Sequence, residues 1–405
     1  MLPDTTIWEV RKLGNALNGA GFDPALGGTD YSQQNAAQLS LSDVSCDQYG
    51  STLTSAVGGF TEAMLGNVIY ISGGENFDSG YYEIISFNDT YTVDVDRSPC
   101  SAGAGTNGVM KIGGASDHPY TIISKMDGMQ AKMYIKKGTY DYVSNLFSCI
   151  INCSYFPEIE GYNDVRGDKP ILSSDMPHFN GLDTADHGFY GSGFIVTSCA
   201  VYDVNAYGFY ADSANIVTTN CIAHDAASGG FFANQLLRAT NCIAYSTGGA
   251  GFYASSITAI GCVSNDNAGE GFSCITLSVI NCLAYNNGTD GFYSSNVFFA
   301  SGCVSINNQI GFNFANYIFI CGCIAYNNTS IGFYQVSATE IFFDLNCYYG
   351  NSTDLSGVTG GPHDVAADPL FTNPSSTPPN LTLQTSSPCK NVDYPPTPMI
   401  GGAII

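Results

Sequence analysis

Cysteine recurs down the second half of the chain at Cys199, Cys221, Cys242, Cys262, Cys282, Cys303, Cys323 and Cys347, with gaps of 22, 21, 20, 20, 21, 20 and 24 residues. Gly-Phe pairs keep the same beat at Gly188-Phe189, Gly208-Phe209, Gly230-Phe231, Gly251-Phe252, Gly271-Phe272, Gly291-Phe292, Gly311-Phe312 and Gly332-Phe333. A unit this short cannot bury an apolar face alone, so a period of about 21 residues demands stacking into a solenoid. The repeat that starts at Asn281-Cys282-Leu283-Ala284-Tyr285 and ends at Val297-Phe298-Phe299 contains three β-prone runs separated by Asn, Gly and Ser. Three strands per coil, each paired with its equivalent about 4.8 Å away, make a parallel β-helix in which like residues stack on like.

Period-2 alternation sorts the stacked positions into inward and outward. Cys, the small residue two after it (Ala223, Ala244, Ser264, Ala284, Ser305, Ala325) and the polar residue four after it (Asp203, Asp225, Ser246, Asp266, Asn286, Asn307, Asn327) are read as inward. The last set predicts an amide ladder, Asn327 over Asn307 over Asn286. The invariant Phe is the core filler, and the Gly before it is expected to supply an unusual φ. The residue after that Phe points out, placing Tyr190, Tyr210, Tyr253, Tyr293 and Tyr334 on a broken aromatic stripe; Tyr202, Tyr245, Tyr285 and Tyr326 form another. The residue after each Cys is aliphatic (Ile222, Ile243, Val263, Leu283, Val304, Ile324) and would point outward as a seam for a partner subunit, with solvent-exposed β-formers or glycan contact as the alternatives.

Four regions follow: a Gly-punctuated β head at 1–117, irregular first coils at 118–187, the regular body at 188–350 and a Pro-rich cap at 351–405 that covers the last strand edge. Fifteen Cys is an odd number, and eight sit on the repeat, so they read as free buried thiols. A net charge of −23 with twelve Lys plus Arg repels nucleic acid and anionic membranes. The N-terminus lacks the basic and apolar regions of a signal peptide, and no run of 18 apolar residues occurs, so neither signal export nor a membrane span is expected.

These residues resemble a known superfamily. The repeat Asn-Cys-Ile-Ala-Tyr-Asn-Asn, the lead-in Gly161-Tyr162-Asn163-Asp164-Val165-Arg166-Gly167-Asp168 and the tail Asp368-Pro369-Leu370-Phe371 with Leu381-Thr382-Leu383 look like right-handed parallel β-helix proteins of the pectate-lyase-like superfamily. The opening Thr6-Ile7-Trp8-Glu9-Val10-Arg11 and Thr29-Asp30-Tyr31-Ser32 are similar to β-helix proteins of tailed bacteriophages. The resemblance implies a right-handed coil in a virion surface component, a tail spike or fibre or a capsid decoration. It also implies a homotrimer, attached to other virion proteins through its head and in contact with host polysaccharide.

Chemistry is sparse. A lyase needs carboxylates that hold a cation beside an Arg base; among the four Arg only Arg238 lies in the regular coils, with Asp212 as a neighbour about a coil away, and a solvated Arg is the plainer reading. Glycoside hydrolysis needs two carboxyl groups, and Glu270 and Asp290 precede Gly-Phe in adjacent coils, against a pair of exposed turn residues. Asp203 and Asp225 stack the same way; if inward, they need a proton or a cation. Arg166-Gly167-Asp168 reads as a turn, Cys149, Cys153, Cys321 and Cys323 as core thiols, and Gly14, Gly19 and Gly21 as loop. No metal and no cofactor is expected. The leading reading is a structural and adhesive protein, and the alternative is a polysaccharide depolymerase on the same coil.

Overall fold

The computed structural model describes residues 7–14, 39–119, 122, 132–142, 147–149, 158–166, 168, 170 and 173–390. It divides into two compact units, residues 1–140 with 149–178, and residues 141–148 with 179–405. No helix among the described residues is long and apolar enough to cross a membrane.

The second unit is a parallel β-solenoid of about eight turns. Phe189–Gly191, Phe194–Thr197 and Ala200–Tyr202 are separate strands of one coil, each paired in parallel with its equivalent in the next. From Gly229–Thr240 onward the first two run together as one bent strand, with a register break between Ala233 and Leu236. Phe189, Phe209, Phe231, Phe252, Phe272, Phe292, Phe312 and Phe333 are fully buried, and each ring stacks on the next at 4.7–5.0 Å. The eight repeat cysteines form a second column, each 0 % exposed. Most lie with Sγ on the carbonyl two residues back, as Cys221 on Thr219 and Cys282 on Ile280, both at 3.4 Å. Burial pushes the Cys282 and Cys303 thiols well above their ordinary range.

Two corners of each coil are left-handed, just before Cys (Asn220, Asn241, Asn281, with φ of 51–54°) and four after it (Asp225, Asp266, Asn286, Asn307, Asn327, with φ of 49–56°). That second corner corrects the expected amide ladder. Alternation holds only along extended backbone, and one left-handed residue turns the chain so that the next residue, not the corner itself, points in. Asn286, Asn307 and Asn327 are exposed, although Asn307 still donates to Asn286 on the outside at 3.2 Å. The buried ladder is one residue later, at Asn267, Asn287, Asn308 and Asn328, all at most 4 % exposed. Asn308 shows the pattern: its Nδ2 donates to the Ala284 carbonyl at 3.0 Å and to Ser305 Oγ at 2.9 Å, and its Oδ1 accepts from the Asn287 backbone at 2.8 Å and side chain at 3.1 Å. Asp203 and Asp225 likewise sit on the corner; Asp225 is exposed, so no inward carboxylate pair forms.

The repeat glycines also have a different cause from the one expected. Their φ values lie outside the left-handed region; the constraint is close approach, since a Cβ on Gly271 would lie 2.5 Å from the Gly291 carbonyl oxygen.

The aliphatic row after each Cys is not an exposed seam. Val263, Leu283, Val304 and Ile324 are at most 9 % exposed and pack beneath Phe371, Leu383 and Cys389, with Ile243 alongside; Ile222 is 5 % exposed. The chain's own Phe371–Asn373 and Asn380–Leu383 hairpin closes the flank. The Pro-rich tail therefore covers a side of the solenoid, while Thr353–Ser356 caps only Ile331, Phe333 and Tyr334 of the last long strand.

In the first unit, Ser40–Cys46, Thr52–Thr54, Val68–Glu75, Gly80–Asp89, Thr92–Val95 and Gly105–Gly113 close into an antiparallel barrel around Val44, Leu53, Ile69, Ile71, Ile84 and Ile112. Ile7–Val10 is not part of it; it pairs in parallel with Lys132–Lys136. Buried Glu9 there accepts from Arg11 Nε at 3.0 Å and Arg166 Nε at 3.0 Å and from Tyr162, while Glu83 accepts from Arg11 at 3.2 Å and Lys136 at 2.7 Å. Burial alone would raise the Glu9 pKa, but Arg166 and Arg11 hold it below the usual range. Arg166, read as part of a turn, is thus committed to a buried ion network.

Replacing Asn308 by Ala strips four hydrogen bonds from a buried site and should cost about 2–4 kcal/mol, whereas Asn307→Gly at the exposed left-handed corner should change stability by about 0.5 kcal/mol or less. Chemical unfolding of the two variants distinguishes the two ladder assignments.

Candidate functional site

The outward row beside the Phe column is in register through Tyr190, Tyr210, Phe232, Tyr253, Ser273, Tyr293, Asn313 and Tyr334. Its first four rungs form a closed stack, with centroid separations of 5.4, 4.8 and 5.1 Å. His187 lies flat on Tyr210 at 4.5 Å, and its Nδ1 accepts the Tyr207 backbone N–H at 3.3 Å. Burial lowers the His187 pKa, which favours the neutral ring that this acceptor role requires. Within this stretch the ring faces cover one another and present mainly edges, so it is not the open aromatic platform that an alternating stripe implies.

The stack breaks at Ser273. Tyr253 is 45 % exposed, Ser273 is 5 % exposed, and no ring contact joins Tyr253 to Tyr293 among the described residues. Two rungs separate these tyrosines by about 9.6 Å along the axis. Ser273 between them is buried, and Tyr253 is the exposed ring at the end of the stack.

Glu270 precedes the Ser273 strand, and Asp290 opens the Tyr293 strand with its carboxyl directed to Asn313 on the rung beyond Tyr293. Their rungs adjoin, as the Gly271 N–H bond to the Asp290 carbonyl at 2.8 Å shows. Asp290 is 8 % exposed, and its Oδ2 accepts from Asn313 Nδ2 at 2.7 Å. Burial pushes its pKa up to about 6; the Asn313 bond opposes the shift and the Glu270 charge adds to it. An acid that titrates near 6 next to a second carboxylate is equipped to donate a proton while its neighbour accepts or attacks. Asn313 Oδ1 and Thr289 Oγ1, next to Asp290 in space and in sequence, are buried and have no hydrogen-bond partner among the described residues.

The remaining sequence candidates are dispersed. Arg238 is exposed and makes no ion pair among the described residues, while Asp212 accepts from Tyr190 OH at 3.3 Å and from Ser213, so no lyase pair assembles. Burial, then Asp183 and Asp225, raise the Asp203 pKa at its corner. Tyr202, His224 and Tyr245 form a second closed stack at 5.1 and 4.6 Å. Cys321 is half-buried and Cys323 belongs to the thiol column; the side chains of Cys149 and Cys153 lie outside the described residues.

Sequence reasoning missed a second outward surface. Phe299, Phe319 and Phe342 stack at 4.8 and 4.7 Å, and with Val297, Tyr317 and Ile341 they line a shallow groove of about 350 Å³. Tyr317 and Ile341 are each 50 % exposed. Its signal was present in the triplets Val297-Phe298-Phe299, Tyr317-Ile318-Phe319 and Ile341-Phe342-Phe343, where residues of both parities are apolar and so one must face out.

No family model and no curated protein matches the chain. Among solved structures it is similar to pectate lyase Pel9A, at 14 % identity over 68 % of this chain and 85 % of that one, with a TM-score of 0.41. It is also similar to the A-module of the mannuronan C-5 epimerase AlgE4 of Azotobacter vinelandii (12 %, 62 % and 95 %, 0.34) and to the tailspike gp61 of Pseudomonas phage phi297 (11 %, 79 % and 63 %, 0.22). These likenesses concern the fold alone.

A folded-state pKa raised above the unfolded value means that the Asp290 contribution is most favourable at low pH and is lost as pH rises through about 6. Asp290→Asn, which keeps an acceptor for Asn313, should therefore gain on the wild type by roughly 2 kcal/mol between pH 4 and pH 7.5. Denaturant midpoints of both proteins at the two pH values test this.

Proposed function

We propose that this chain is an adhesive surface protein of a bacteriophage virion, a tail spike or fibre or a capsid decoration, that binds a host polysaccharide through the exposed Tyr253. The observation that carries the reading is the end, at Ser273, of the ring stack that runs from Tyr190 to Tyr253, with Tyr253 left exposed there. A sugar ring would stack on the exposed Tyr253 ring, with Glu270 on the next rung as an acceptor for its hydroxyl protons. Stacking on Phe232 holds Tyr253 in place, so binding costs little side-chain ordering. The chain assembles as a homotrimer, and the uncovered Phe299, Phe319 and Phe342 row is the apolar surface available to the copies. The barrel of the first unit supplies the attachment to other virion proteins.

A depolymerase on the same coil is the second reading, favoured by one arrangement: Asp290 is buried on the rung adjoining that of Glu270, and burial pushes its pKa up to about 6. Adjoining rungs lie about 4.8 Å apart, near the 5 to 5.5 Å at which a retaining pair works. Asp290 would protonate the glycosidic oxygen while Glu270 attacks the anomeric carbon, and water would then release the sugar.

Three measurements test these readings. Tyr253→Ala should weaken binding to host surface polysaccharide about tenfold without lowering the unfolding midpoint, and Tyr210→Phe, inside the closed stack, should not; equal affinities for all three proteins would remove Tyr253 from the account. Light scattering should give a trimer for the wild type and a smaller species for Phe319→Ser with Phe342→Ser. New reducing ends released by wild type and lost in Glu270→Gln would establish the depolymerase, and their absence would leave adhesion.

A further inference from the structure

We infer that Cys46 and Cys100 are a disulfide-forming pair, a modification site that staples the barrel once the chain meets an oxidising medium. The inference stands whatever ligand the solenoid takes.

These are the only two cysteines in the first 148 residues, and both lie in the barrel core, Cys46 at 5 % and Cys100 at 0 % exposure. Cys46 ends the strand Ser40–Cys46, and its cross-strand partner is Gly105 at the start of Gly105–Gly113. Cys100 arrives separately, on the loop that leads into that second strand. Its Sγ takes the space of the side chain that Gly105 lacks, since a Cβ on Gly105 would stand 2.4 Å from it. Side chains of directly opposed residues lie about 4.5–5.5 Å apart, so the Cys100 sulfur faces Cys46 across the ladder. The two thiols interact directly. A bond from the Tyr49 N–H to the Cys100 carbonyl at 2.9 Å ties the two backbones together, and Ser98 Oγ accepts the Cys100 N–H at 3.2 Å.

The stacked cysteines of the solenoid are differently placed. In-register parallel rungs set their Cβ atoms about 4.8 Å apart, beyond the roughly 3.8 Å that a disulfide spans, and each is 0 % exposed. Cys46 instead rests its Sγ on the Gly50 carbonyl at 3.2 Å, at a turn whose Tyr49 is 73 % exposed, so opening that turn admits a small oxidant.

The oxidant is a low-molecular-weight disulfide such as oxidised glutathione. One protein thiolate attacks it, breaking its S–S bond and expelling one glutathione thiolate. The second protein thiolate then attacks the mixed disulfide, forms the Cys46–Cys100 bond and expels the other. The two expelled sulfurs carry away the electron pair and take up the two protons that the protein thiols lost. Burial pushes the Cys46 thiol up to about 12, so its thiolate is scarce and the reaction is slow at neutral pH. The bond encloses four of the barrel's six strands, a long loop whose closure restricts the unfolded chain.

The test equilibrates the full chain, purified reduced, with excess oxidised glutathione at pH 8.5, blocks the remaining thiols with iodoacetamide, and maps unreduced peptides by mass spectrometry. A Cys46–Cys100 peptide should be the main linked species. The thermal midpoint, read from the fluorescence of the single tryptophan, Trp8, in the same unit, should rise by roughly 5–10 °C and fall back on reduction. Cys100→Ser should show neither the link nor the rise; the comparison of reduced with oxidised wild type decides the matter even where that variant does not fold. Recovery of Cys46 and Cys100 as separate alkylated or glutathione-capped peptides would overturn the inference. So would linkage among the stacked cysteines in preference to this pair, or a midpoint that the bond leaves unchanged or lowers.

Discussion

In-register parallel pairing brings each coil within about 4.8 Å of the next, and every other property of the solenoid depends on what can repeat at that spacing. Flat rings can, and the column from Phe189 to Phe333 keeps its centroids at 4.7–5.0 Å. Thiols can, because Cys fills a small volume and satisfies its weak donor on its own strand. Asparagine can, because one amide both donates and accepts along the stack. Charges cannot, and the regular coils carry few of them. The outer row departs from the rule at Ser273 and again at Asn313, and the ring stack that starts at Tyr190 therefore ends with Tyr253 exposed.

The coil itself was legible from residues alone. Cys, Phe and the small residue two after Cys sit on extended backbone, where alternation is reliable, and each is buried as its spacing implies. Positions reached by counting through a corner were misread: Asn286, Asn307 and Asn327 occupy left-handed turns, and the inward amides are their successors. The Asn-Asn dipeptides record both roles side by side, a turn former followed by a ladder member. The glycines were identified correctly as constrained but for the wrong reason, since the next coil's carbonyl, not φ, forbids a side chain.

What escaped the sequence depends on partners far along the chain. The aliphatic row after each Cys looked exposed because nothing periodic announces Phe371, Leu383 and Cys389, which cover it. The Glu9, Arg11, Glu83 and Arg166 network joins residues more than 150 positions apart, and no local pattern marks such a cluster. At the candidate site, the spacing of Glu270 and Asp290 was readable, but the burial of Asp290 and its bond to Asn313 were not.

The buried asparagine ladder also gives the rod an electrical direction. Asn287 Oδ1 accepts from Asn267, Asn308 Oδ1 from Asn287, and Asn351 Oδ1 from Asn328, so the acceptor always belongs to the later coil. Amide dipoles aligned head to tail reinforce one another. The two ends of the solenoid are therefore inequivalent in potential as well as in shape, and an approaching molecule meets a polarised column whose sense was set by the direction in which the chain was wound.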